Sequence, residues 1–205
     1  MPLSGLPALD LIRPGRVHEA TGPARRSFAA VLAGRLSGPV LWIQEGRERD
    51  ALCPQGLQPF LDPARLLLAR PAGAKAVLQV AEEALRSGAA PLVVAELAAA
   101  PDLTASRRLQ LAAGAGGGGG RGLCLVPPPP SPAHQRSNAA ETRWQCTTVA
   151  GARTRQLWEL VKNKRGKLGC WEVVWEQGAG PARRRESAQG TTKGGGAPGP
   201  AAACA

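Results

Sequence analysis

At 205 residues the chain is long enough for about one to one and a half domains, and 43% apolar residues supply a core that excludes full disorder. Glycine (26) and proline (19) are abundant for a compact domain. Lys and Arg outnumber Asp and Glu by 26 to 15, giving a net charge of +11, yet five Trp, two Phe and no Tyr are few rings for a platform that stacks single-stranded nucleic acid.

Residues 1–14 read as an N-terminal arm, and from Gly15 to about Val126 apolar runs alternate with helical patterns. Ser27–Leu36 places Phe28, Val31, Leu32 and Leu36 at helical spacing. Val40-Leu41-Trp42-Ile43, behind Gly38-Pro39, suits a buried strand; a long Gly/Pro-punctuated connection then runs from Gln44 to Arg65. Leu66–Ala69 is the next strand. Ala74–Arg86 reads as a helix with Val77, Leu78, Ala81, Ala84 and Leu85 inward and Glu82-Glu83 outward, ended by Ser87-Gly88. Leu92–Ala95 is a strand and Thr104–Ala113 a helix. The run Gly116–Gly120 follows, and if it loosens the last crossover the strand Leu123–Val126 docks poorly. Uninterrupted apolar strands alternating with helices point to an α/β fold whose parallel sheet is covered on both faces.

After the proline run 127–130, in a linker taken as 127–140, the rhythm changes. Thr142–Thr147 alternates like a half-exposed strand, and Leu157–Val161 and Trp171–Trp175 flank a turn rich in Lys, Gly and Asn. Trp171, Val173 and Trp175 share one face, while Glu172 and Glu176 face the other way. Residues 141–176 are thus an antiparallel hairpin extension. Residues 178–205 contain no Val, Ile, Leu, Phe or Trp and are expected to be a disordered basic tail, which leaves room for a docking element without supplying a motif.

Met1-Pro2-Leu3-Ser4 lacks the basic start and apolar stretch of a secretory signal, and no apolar run is long enough to cross a bilayer, so the expected location is the cytoplasm. Cys53, Cys124, Cys146, Cys170 and Cys204 are scattered and form no C-x-x-C; with two histidines they suggest isolated buried thiols and no metal site.

Three segments carry a family resemblance. Gly15-Arg16-Val17-His18-Glu19-Ala20-Thr21-Gly22-Pro23 resembles the approach to the phosphate loop of RecA-type ATPases. Leu85–Ala90 before Leu92-Val93-Val94-Ala95-Glu96 looks like the helix and strand of their second motif. Leu103-Thr104-Ala105-Ser106-Arg107-Arg108-Leu109-Gln110-Leu111-Ala112, with the Trp-bearing C-terminal hairpin, resembles the bacterial ImuA (inducible mutagenesis A) proteins, and the likeness runs through about residues 15–176, leaving out the polyglycine and polyproline runs. The resemblance implies a RecA-like fold and a role in the SOS response. Its implied partners are an ImuB-like, Y-family polymerase adaptor and an error-prone C-family DNA polymerase, with RecA and DNA as further contacts.

A working phosphate loop needs G-x-x-x-x-G-K-[ST], with glycines to let amides wrap phosphates, a Lys to neutralise them and a hydroxyl for Mg²⁺. Counting from Gly22-Pro23, Ser27 stands at the second glycine, Phe28 at the Lys and Ala29 at the hydroxyl. Arg25 and Arg26 precede the Lys position and read as exposed residues at a helix start. Glu96 follows its strand where RecA-type proteins place the Mg²⁺-supporting acid, and Glu45 lies near their water-activating Glu; each is equally a solvated strand end. Without the Lys and hydroxyl, ATPase activity and a cofactor are not expected, while weak ATP/Mg²⁺ binding stays open.

Elsewhere, His18 reads as a structural hydrogen-bonding residue and His134 as solvated. Arg153, Arg155, Lys162, Lys164, Arg165 and Lys167 form a candidate DNA-phosphate patch, or a charged turn that blocks edge pairing. Trp158, Trp171 and Trp175 are either a partner surface or hairpin core. The reading is a non-catalytic accessory of SOS-induced translesion synthesis; the alternatives are a SulA-like inhibitor of the tubulin-like division protein and a weak DNA-dependent ATPase.

Overall fold

The computed structural model describes residues 6–46, 52–117, 119–131, 134, 137–149, 155–175 and 181–186. The strands are β1 (Arg16–Thr21), β2 (Val40–Ile43), β3 (Leu66–Ala69), β4 (Leu92–Glu96), β5 (Arg121–Leu125), β6 (Thr142–Thr148), β7 (Arg155–Asn163), β8 (Gly169–Trp175) and β9 (Pro181–Glu186). The helices are α1 (Arg25–Arg35), a single turn α2 (Pro54–Leu57), α3 (Ala74–Ser87) and α4 (Leu103–Ala115). Among the described residues the strands form one sheet in the order β3-β2-β4-β5-β1-β6-β7-β8-β9.

The sheet is α/β and mixed. β3, β2, β4, β5 and β1 are parallel, and β6 also pairs parallel with β1, through Glu19↔Arg143 to Thr21↔Gln145. The parallel core therefore continues one strand beyond Val126, and the antiparallel extension starts at β7 rather than at residue 141. The long 126–141 connection makes this possible, because a parallel neighbour needs a crossover and a hairpin turn cannot supply one. β9 pairs antiparallel with β8, so Pro181–Glu186 adds a strand inside the segment expected as tail. Arg153, Glu176 and residues 187–205 of that tail lie outside the described residues.

Each face of the sheet carries its own core. On one side Phe28, Val31 and Leu32 of α1 pack with Trp42, Val94, Leu123, Leu125, Trp144 and Trp158, and Leu9 and Ile12 of the N-terminal arm close the edge. On the other side Val77, Ala81 and Leu85 of α3 and Leu109, Ala112 and Ala113 of α4 pack on Val17, Val93, Ala95 and Cys124. The hairpin tryptophans belong to the first core: Trp158 is fully buried and Trp171 nearly so.

Several expectations are corrected. Glu82 does not face solvent. α4 lies beside α3, and the Glu82 carboxylate bridges them by accepting from Arg86 (2.6 Å) and Arg108 (2.7 Å), so Arg108 is not a free cation. β5 is not loosened by the glycine run: it lies between β4 and β1, and Leu123 is 1% exposed. α3 ends at Gly88 as expected, because this residue is left-handed (φ 66°) and a Cβ there would meet the Gly116 carbonyl oxygen at 2.2 Å. β3 is an edge strand, so Leu67 and Leu68 stay half exposed. Of the cysteines, Cys124 and Cys146 are buried free thiols, but Cys53 is exposed and Cys170 is disulfide-bonded.

Candidate functional site

The parallel strands bring the ends of β1 and β4 to one edge of the sheet, where open α/β sheets hold their ligands. Beyond Thr21 the chain turns through Gly22, Pro23 and Ala24 directly into α1. The Ala24 amide donates to the Cys146 carbonyl of β6 (3.1 Å), the Arg25 amide to Gly22 (3.3 Å) and the Phe28 amide to Ala24 (3.0 Å). Gly22 has φ +92°, and a Cβ on it would lie 2.2 Å from the Cys146 oxygen. This glycine thus serves a close approach to β6, and these amides are spent within the protein. Ser27 is half-buried on α1.

Phe28, at the position of the phosphate-loop Lys, is fully buried. Its ring centroid lies 5.2 Å from that of Trp144 and 4.8 Å, edge-on, from that of Trp158. Edge and tilted contacts of this kind add to the area term for aromatic pairs. Where a phosphate-loop Lys would reach over a nucleotide, this position holds the centre of an aromatic core.

Glu96 is buried, not solvated, and its carboxylate is crowded with donors. Arg26 Nε lies 3.0 Å from both carboxylate oxygens and Nη2 2.7 Å from Oε2. Trp42 Nε1 donates to Oε1 at 2.7 Å, and Gln44 Nε2 donates to the same oxygen at 3.1 Å. A carboxylate offers about four lone-pair positions, and these donors occupy them. Charge-assisted, two-pronged pairing with guanidinium is the strong form of such a contact. Arg26 is therefore not a freely exposed residue at a helix start; its guanidinium supplies the cation opposite the acid. Glu45 is half-buried just past β2, and it is its neighbour Gln44 that reaches Glu96.

A second polar cluster joins β1 to β6. Glu19, 1% exposed, pairs with Arg143 and accepts from Asn138. His18 points to the opposite face, with Nδ1 2.7 Å from Thr142 Oγ1 and Nε2 3.3 Å from the Arg13 carbonyl. Burial draws its pKa down to about 4, opposed by the Arg13 carbonyl bond and assisted by the positive charges of Arg121, Arg13 and Arg16. His18 is thus a neutral structural link. Burial pushes the Cys124 thiol up to about 12, which keeps it protonated and unreactive.

The candidate DNA cations do not form one patch. Thr142↔Asn163 and Thr148↔Gln156 set β7 so that Arg155 lies at the edge holding Thr21, while Lys162, Lys164, Arg165 and Lys167 lie at the opposite edge. At the rise of a β-strand the two groups are about 25 Å apart. Arg155 pairs with Glu172. Lys162 and Lys164 donate to the carbonyls of Asn138 and Ala139 at 2.8 and 2.7 Å, and Arg165 meets Glu141 at 3.0 Å. Lys162, Lys164 and Arg165 therefore hold the segment that leads into β6. Bonds to neutral carbonyls orient the two lysines without cancelling their charge.

The structure thus brings Gly22, Phe28 and Glu96 to one edge and sets the hairpin turn at the other. Sequence reasoning missed Arg26, Trp42 and Gln44 as the partners of Glu96. The available signal was a basic residue in the first turn after β1, once β1 and β4 are recognised as ending on the same edge. The family-like segment on α4 is explained in part: Ser106 Oγ accepts from the Ala139 amide at 2.8 Å, and Gln110 bonds both the amide and the carbonyl of Val17.

No family model matches this chain. Over 100 residues it is 37% identical to Protein ImuA of Caulobacter vibrioides strain NA1000 / CB15N, and equally to Protein ImuA of strain ATCC 19089 / CIP 103742 / CB 15. The matched stretch is 47% of this chain and 40% of each relative, so the chain spans less than half the length of the curated relatives it matches. The resemblance to the ImuA proteins holds over that stretch.

Proposed function

From this likeness to the ImuA proteins, we propose that the chain is a non-catalytic accessory of inducible, error-prone DNA synthesis past lesions, built on a RecA-like scaffold. The observation that carries the reading is the Arg26–Glu96 pair. Phosphoryl transfer depends on positioned cations and a metal-supporting acid. Here the acid is already charge-balanced by Arg26 and bonded to Trp42 and Gln44, and the Lys position is filled by core Phe28. The fold then serves as a binding surface, acting in the cytoplasm at the nucleoid.

The partners in this reading are an ImuB-like, Y-family polymerase adaptor and an error-prone C-family polymerase, with RecA and DNA as further contacts. Among the hairpin cations, Lys164 and Lys167 are exposed at the turn and suit phosphate contact. The test is recovery of the tagged chain from cells of its source after ultraviolet damage, together with a purified ImuB-like adaptor in a direct binding assay. Co-recovery of the adaptor, without nucleotide, is expected. An adaptor that does not bind and the absence of every polymerase component would overturn the proposal.

A further inference from the structure

Four arginines from three parts of the chain stand at the edge of the sheet opposite Glu96. Arg16 opens β1 and Arg121 opens β5, and they are direct cross-strand partners in the parallel register, so both side chains leave the same face. Arg13 stands just before β1. Its carbonyl lies 3.3 Å from Nε2 of His18, two residues beyond Arg16 on β1. Arg35, at the end of α1, faces Arg121 across a groove of about 250 Å³ lined also by Leu9, Asp10, Ile12 and Pro14.

The groove is built rather than incidental. Arg121 is fixed by Nε donating to the Ile12 carbonyl at 3.0 Å. Arg35 Nη1 donates to the Leu6 carbonyl at 2.7 Å. Asp10 is the carboxylate of this groove, and Arg35 Nη2 already holds it at 2.9 Å. Carbonyl bonds leave the charge on Arg121 uncancelled, and Arg13 and Arg16 add to it. Guanidinium groups in fixed orientation match the paired oxygens of a phosphodiester better than they match a diffuse negative surface.

We propose that this groove seats a phosphate of a nucleic-acid backbone, with Arg35 and Arg121 lining it and Arg16, beside Arg121, and Arg13, between the lining residues Ile12 and Pro14, as its flanking cations. The hairpin turn with Lys164 and Lys167 lies on the same edge, with β1 and β6 between β5, which carries Arg121, and β7, so the interval is about 15 Å. A backbone held in the groove continues onto those lysines. The inference rests on the reading of this chain as a protein of the DNA-damage response, and it names the surface that meets DNA.

The experiment is fluorescence anisotropy with a short labelled duplex over a range of salt, using the full chain. The variant Arg13→Gln/Arg16→Gln is compared with Arg70→Gln/Arg107→Gln, which removes equal charge from exposed positions elsewhere. The first pair is expected to weaken binding at least about tenfold and to reduce the salt slope by about two, as expected for two lost phosphate contacts. The second pair is expected to stay within about twofold of the parent. Equal weakening by both pairs, or by neither, overturns the proposal, as does tight binding of inorganic phosphate with no binding of duplex. Adaptor binding is measured on the same samples. A chain that binds adaptor and ignores DNA sinks this inference alone; one that binds DNA and no adaptor sinks the earlier reading alone.

Discussion

Arg26 reaches back from the first turn of α1 to grip Glu96 at the end of β4, with Nη2 2.7 Å from Oε2 and Nε shared between both oxygens at 3.0 Å. The cation comes from two residues before Phe28 and meets the acid directly.

Removing that cation leaves a buried carboxylate supported by neutral donors. Arg26→Ala is expected to cost about 2–3 kcal/mol in urea unfolding, discounted from the cost of breaking a fully buried pair because the Arg26 side chain is 29% exposed. Replacing both partners by apolar groups, Arg26→Met with Glu96→Leu, should cost less than the sum of the single changes, and a double-mutant cycle reads the coupling. Additive losses would mean that the pair does not act as a unit.

Phe28 holds two tryptophans together, so Phe28→Ala should cost about 3–5 kcal/mol, the range for emptying a large aromatic site in a core. Trp fluorescence should shift with it, since Trp144 and Trp158 both lose a neighbour. Phe28→Lys is expected to yield no folded protein, because the ammonium would be buried in apolar surroundings. A soluble, cooperative Phe28→Lys chain would show that the Lys position opens to solvent.

His18 supplies a pH dependence with a definite sign. Its folded pKa is drawn down to about 4 while the unfolded chain titrates near 6.5, so the unfolded state binds the extra proton between those values. Stability is therefore highest above that window and falls as pH drops through it, by about 3 kcal/mol in all. His18→Gln should flatten the slope of unfolding free energy against pH between about 6.5 and 4. An unchanged slope would place the titration elsewhere.

The strands and helices of the core were readable because their periods are strong. Val40–Ile43, Leu92–Ala95 and the spacing of Val77, Ala81 and Leu85 each carry one pattern, and the structure follows it. Pairing was less readable. β6 alternates like an antiparallel strand, but its alternation reports only that one face is exposed; the length of the 126–141 crossover decides that it pairs parallel with β1. Glu82 was misplaced for a similar reason. Helical spacing sets its angle on α3, while the presence of α4 beside that angle is tertiary information. The site was half legible: Phe28 in place of Lys is visible in one dimension. The partner of Glu96 is not, because Arg26 and Glu96 are 70 residues apart and meet only once β1 and β4 end at the same edge.

The most direct measurement is calorimetric titration of the purified chain with ATP in Mg²⁺, alongside a product assay with and without DNA. No saturable heat is expected, and no ADP above the background of an Arg26→Ala/Glu96→Gln control. Stoichiometric binding with DNA-stimulated ADP release, abolished by Glu96→Gln alone, would contradict the non-catalytic reading.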